Sequence, residues 1–158
     1  PLFARKAEAA LDFGIDNLER VFHGCPESVT RTMHMCCGYP DCLDDTDYPK
    51  APKESYLSLA KAIDASSIAA VSLEDAHRHN DLSLLEMFER TTVIFGVVAI
   101  ASSRIETVEE IRQRLEAALG HIDAHRLIAA PDCGLGMLSR DMVMAKLSNL
   151  SEAAHGLG

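Results

Sequence analysis

The stretch TVIFGVVAI, from Thr92 to Ile100, decides the fold. After Thr92 it holds only apolar residues and one glycine, and it is too short and too β-branched for a buried helix. It reads as a strand covered on both faces. Downstream the period changes. Thr107 to Leu119 reads as a helix, with Thr107 and Glu110 as a capping box and Val108, Ile111, Leu115 and Leu119 on one stripe. Leu127 to Ala130 returns to strand and runs into Pro131, Asp132, Cys133 and Gly134. Leu138 to Ala154 closes the chain as a helix with Met142, Leu147 and Leu150 inward and Met144 in the same packing. Upstream, Asp81 to Phe88 is a short helix, and Ile68 to Leu73 is a strand ending at Glu74. Glu54 to Ala65 is an amphipathic helix, Gly38 to Pro52 a long loop, and Val29 to Cys36 a strand. Residues 2–22 read as a helix broken near Gly14. The order is helix, then strand–helix four times. Such alternation predicts an α/β fold with a parallel sheet and right-handed crossovers, as a single domain over residues 1–158.

Composition narrows the function. The chain has 158 residues, 47% of them hydrophobic but only 5% aromatic, so its core is aliphatic. A formal net charge of −9 argues against nucleic acid and anionic membranes, which both require clustered Lys and Arg. No apolar run reaches the length of a membrane-spanning helix, and Pro1 to Gly24 reads as an amphipathic helix rather than a leader. Five cysteines, an odd number, argue against a disulfide framework and for a reducing cytoplasm.

Parallel strands carry ligands at their carboxyl ends. His34 and Cys36 end the first predicted strand, Glu74 the second, and Cys133 follows the fourth, so residues distant in sequence would meet at one edge of the sheet. Imidazole, thiolate and carboxylate are the donors zinc prefers. Spacing alone leaves two readings open. His34 and Cys36 are either ligands or core residues, since free cysteine is commonly buried. Cys36, Cys37 and Cys42 do not form a zinc-knuckle spacing.

Longer strings carry more. Thr32-Met33-His34-Met35-Cys36 resembles the zinc-binding strand of the cobalamin-independent methionine synthases. Ser72-Leu73-Glu74, followed by the segment Asp81 to Phe88, resembles that family's zinc glutamate segment, with a short insertion near Arg78 to Asn80. Arg126 to Leu135 is similar to the stretch bearing its last zinc cysteine. The resemblance implies a TIM-type (β/α)8 barrel and zinc held by His34, Cys36, Glu74 and Cys133. It also implies methyl or alkyl transfer to a thiol, with homocysteine as acceptor and methyltetrahydrofolate as donor.

Two departures qualify it. A full barrel takes about 250 residues, and only four strands are predicted. The chain therefore resembles the C-terminal half of the barrel, expected to pair with a second copy, a separate chain or a missing N-terminal half. The family also carries an Asp-Ile-His-Ser-Pro string whose histidine serves proton delivery. Here Ala99-Ile100-Ala101-Ser102-Ser103 stands instead, with Ala99 and Ala101 at the Asp and His positions. A folate donor needs its leaving nitrogen protonated. This opens two alternatives: an alkyltransferase with another donor, such as the epoxide of the epoxyalkane:coenzyme M transferases, or a non-catalytic half-barrel remnant. No catalytic residue is assigned from the sequence.

Other residues read as follows. Asp132 is either a partner orienting a ligand or a turn residue after Pro131. His77 and His79 are solvated loop residues, with pocket lining or replacement of the missing acid as the alternative. Arg104 either binds an anionic group or is solvated. Cys37 points away from Cys36. Asp41, Asp44, Asp45 and Asp47 form a solvated loop rather than a calcium site.

Overall fold

The computed structural model describes residues 13–157. The start of the expected first helix lies outside them; its described part is helix α1, Ile15–Val21. Four strands follow: β1 Thr32–Met35, β2 Ala70–Glu74, β3 Thr92–Val98 and β4 Leu127–Pro131. Between and after them come α2 Glu54–Asp64, a 3-10 helix Leu82–Met87, α3 Val108–Leu119 and α4 Arg140–His155. The strands form one sheet in the order β1-β2-β3-β4, and every pair is parallel. Sequence order equals spatial order, so each crossover advances by one strand, as in a segment of a (β/α)8 barrel.

Local chemistry accounts for the elements. Thr107 accepts the Glu110 N–H, and the Glu110 side chain returns to the Thr107 N–H, closing the expected capping box. Ile111, Leu115 and Ala118 are the residues α3 buries. Ser139 caps α4. Asp81 caps the 3-10 helix by accepting the Ser83 N–H, so the segment expected as a short helix tightens to i→i+3 geometry.

The core lies between the sheet and the helices. Val71, Leu73, Val93 and Phe95 pack with Tyr56 and Ile63 of α2, Ile111 and Leu115 of α3, and Leu150 of α4. Full burial of each such side chain is worth about 1.5–3 kcal/mol. The alternate positions face the other way. His34, Ser72, Ile94 and Ile128 stand side by side across the four strands, and Ile128 remains 49% exposed. Cover on both faces, expected from the apolar run of β3, is thus incomplete among the described residues; right-handed crossovers, the rule for parallel strands, return each helix to the same side of a sheet.

One expectation for α4 needs correction. Met144 does not pack in the core; it is 60% exposed. The helix buries Lys146 with Leu150 and Ala153, and the Lys146 ammonium is paired internally with Glu106. Polar pairing, not apolar spacing, sets that face of the helix.

Candidate metal centre

The carboxyl ends of β1, β2 and β4 bring together His34, Glu74 and Cys133. One ligand atom from each lies within 4.8 Å of the other two. His34 Nε2 is 3.4 Å from Glu74 Oε1. Cys36, the fourth residue expected here, is not part of that group of three. It lies near His34 and Glu74, raising the pKa of the first and lowering that of the second. Cys36 directly follows β1 and so stands at the same end of the sheet as the other three.

The supporting contacts aim these side chains. Ser72, paired with His34 in the β1–β2 register, places its hydroxyl 3.0 Å from His34 Nδ1. That contact leaves Nε2 directed at Glu74 and free to act as a ligand. Glu74 is only 3% exposed, and its Oε2 accepts the Cys37 backbone N–H at 2.6 Å. Burial opposes ionisation of Glu74, but hydrogen bonds from His34, Cys37 and Cys36 outweigh it and hold the carboxyl below its usual range. His34 is raised to about 10 by its contacts with Cys36 and Glu74, with burial opposing. Cys37 is pushed up to about 12 by burial and by Glu74. It remains a thiol in the core and contributes its backbone to the site. Tyr56, buried beneath, donates its hydroxyl to Met35 O at 2.8 Å and fixes the end of β1.

Asp132 crosses the sheet. It is fully buried, and its carboxylate accepts three consecutive backbone N–H groups, those of Asp75, Ala76 and His77, each at 2.9 Å. Burial nevertheless raises it to about 7 against the pull of those bonds. Between the two open readings from sequence, the contacts are those of a residue gripping the segment after Glu74. His77 is not a free loop residue either. Its Nε2 accepts the N–H groups of Ile100 and Ala101 at 3.0 and 3.1 Å, which fixes a neutral ring with its proton on Nδ1. Its pKa is lowered, by burial first.

The surrounding loops close on this edge. Asp44, with φ 65°, donates its N–H to Ala101 O and accepts the Ser103 N–H, so the acidic segment is tied to the loop after β3. Arg78, in the short insertion, donates to Ala51 O, and Lys53 donates to His79 O at 2.7 Å. Arg104 pairs with Glu110 at 3.0 Å on the surface. Ala99 and Ala101 are both buried. Sequence reading missed Ser72 as the partner of His34, the Cys37 N–H and the Glu106–Lys146 pair. Only the register of parallel strands signals the first of these in advance.

Fold and site together define a parallel β/α protein with an imidazole, carboxylate and sulfur group at its strand ends. The family profile described as "Cobalamin-independent synthase, Catalytic domain" matches residues 49–156, and the chain belongs to that family. It is 33% identical over 104 residues to a methionine synthase of Pyrococcus furiosus, a match covering 65% of this chain and 31% of the relative. It is 27% identical over 161 residues to a 5-methyltetrahydropteroyltriglutamate–homocysteine methyltransferase of Lactiplantibacillus plantarum, covering 99% of this chain and 19% of the relative. A solved B12-independent methionine synthase from Shewanella sp. W3-18-1, in complex with selenomethionine, superposes with a TM-score of 0.87 at 30% identity over 99% of this chain and 46% of that one. The chain therefore spans less than half the length of these relatives. No helix among the described residues is long and apolar enough to cross a membrane.

Proposed function

We propose that this chain is the zinc-bearing C-terminal half of a (β/α)8 barrel that transfers a methyl or alkyl group to a thiol, with homocysteine as the acceptor. The observation carrying the reading is the convergence of His34, Glu74 and Cys133 within 4.8 Å, at the end of the sheet where Cys36 follows β1. The donor set fits zinc: one imidazole, two sulfurs and one carboxylate complete a tetrahedral shell. When bound, zinc lowers the pKa of a coordinated thiol and so supplies a thiolate nucleophile at neutral pH.

The residues have distinct tasks. His34 would bind through Nε2, since Ser72 holds its Nδ1. Cys36 and Cys133 would supply the two sulfur ligands. Glu74, steadied by the Cys37 N–H, would be the carboxylate ligand, the one that an added thiol could replace. The apolar, helix-free face at Ile94 and Ile128 forms the barrel lumen, completed by four further β/α units. The chain covers 46% of its solved relative, and β1 and β4 have one paired edge each; both facts support that arrangement. Five free cysteines suit a reducing cytoplasm.

The donor follows from the proton supply. Ala99 and Ala101 carry no acid, His77 Nε2 already accepts two N–H groups, and Asp132 is held by three. This pattern favours a second reading within the same chemistry, an alkyl donor such as an epoxide. Metal analysis of the purified chain is expected to give one zinc per chain. X-ray absorption is expected to gain one sulfur neighbour when homocysteine or coenzyme M is added. Unchanged sulfur coordination with both thiols overturns the transferase reading.

A further inference from the structure

Asp132 has a role that ligand lists do not describe. It immediately precedes Cys133, and its three hydrogen-bond donors begin at Asp75, immediately after Glu74. The carboxylate thus bridges the two chain segments that present two of the four proposed ligands, 57 residues apart along the chain. The Asp132 N–H also donates to Val98 O at 3.0 Å, locking the segment to β3. The structure makes room for this. β3 carries a glycine where Asp132 passes: a Cβ on Gly96 would lie 2.7 Å from Asp132 Cα and closer still to Oδ1. The β3–β4 register shifts between Gly96 and Val98, at the same place.

Magnitudes favour a purpose beyond filling a turn. Burying a carboxylate is costly unless its oxygens are satisfied. Three converging N–H groups supply that satisfaction. A turn after Pro131 requires no such group.

We propose that Asp132 is the positioning residue of the metal centre, setting the separation of Glu74 and Cys133 by holding the N–H groups of Asp75, Ala76 and His77. The proposal rests on the metal-binding reading above. Removing this grip leaves every ligand in place but lets the β2 and β4 ends drift apart.

The test is titration of the full chain with Co2+, which replaces zinc and reports thiolate ligands through sulfur-to-cobalt charge-transfer absorption. Three variants are compared with the parent. Asp132→Asn keeps size but presents an amide N–H to backbone N–H. Gly96→Ala leaves Asp132 intact and displaces it sterically. Asp64→Asn removes another buried carboxylate that accepts three backbone N–H groups, those of Glu89, Arg90 and Thr91, away from the proposed ligands. Circular dichroism checks that each variant folds. Asp132→Asn and Gly96→Ala are expected to bind Co2+ about 10–100-fold more weakly, the scale of losing a partner that orients ligands. Their charge-transfer absorption per cobalt is expected to fall by about half as Cys133 is lost from the shell, one thiolate of two. Asp64→Asn is expected to match the parent. Titrations of Asp132→Asn and Gly96→Ala that overlay the parent overturn the positioning role. So does an equal loss in Asp64→Asn, which would mark general softening. A parent chain that binds no cobalt or zinc overturns the metal reading and this inference with it.

Discussion

Gly96 of β3 leaves the space that Asp132 occupies: a side-chain carbon there would stand 2.7 Å from Asp132 Cα and 2.9 Å from Leu73 O. The second of these neighbours is backbone in the middle of the sheet and cannot swing aside. Gly96→Ala is therefore expected to destabilise the fold by about 1–3 kcal/mol, the usual cost of overpacking. Urea denaturation followed by circular dichroism measures it. A midpoint equal to the parent's would show that β3 and the 132–133 segment separate without cost.

Metal loading should be visible in stability. An ion that binds only the folded chain adds about 2.7 kcal/mol at a free concentration one hundred times Kd. For a domain of this size that is roughly 5–10 °C in Tm. Zinc is expected to raise Tm in the parent and to lose most of this effect in Cys133→Ser and His34→Ala. A chelator should reverse the shift. Equal zinc-induced shifts in parent and variants would remove these residues from the ligand set.

The fold was legible because alternation is a strong signal. TVIFGVVAI and the capped stripe from Thr107 to Leu119 reappear as β3 and α3 with small changes at their ends. The gathering of His34, Glu74 and Cys133 follows from parallel topology, which puts three strand ends on one edge. What stayed hidden lies in contacts made across the sheet or between segments remote in sequence. Ser72 reaches His34 only through the β1–β2 register. Asp132 reaches residues 75–77 across β3, and no local pattern encodes that. Lys146 is buried in α4 because its partner Glu106 arrives from the loop after β3, and no local pattern signals that.

The Lys146–Glu106 pair holds the loop after β3. Lys146 Nζ donates to Glu106 Oε2 at 2.8 Å and to Arg104 O at 2.6 Å, while Glu106 Oε1 accepts the Ala99 N–H at 2.9 Å. Both side chains are almost wholly enclosed. Lys146→Met leaves Glu106 buried without its counter-charge, and a loss of about 3–5 kcal/mol is expected. Adding Glu106→Gln should recover part of it, since a neutral amide still accepts the Ala99 N–H. Chemical denaturation of both single variants and the double variant closes the cycle. Strictly additive losses would mean the two charges do not interact.

His77 gives the fold a pH dependence of known sign. Burial lowers its pKa below the ordinary value, with Lys50 and Lys146 adding to that and Glu74 and Glu106 opposing it. Its Nε2 must stay unprotonated to accept the N–H groups of Ile100 and Ala101. In the unfolded chain the ring titrates near 6.5. Below that pH the unfolded state takes up a proton that the native state refuses, so stability falls as pH falls. The contribution is complete above about 6.5 and is lost as pH drops through the depressed native value. Between pH 7 and 5 the parent is therefore expected to lose more stability than His77→Ala, in which no imidazole titrates. Nitrogen-15 spectra of the parent at pH 7 should show the proton on Nδ1. Parallel stability curves for the two proteins, or a ring protonated at pH 6 in the native state, would show that His77 does not hold the loop in neutral form.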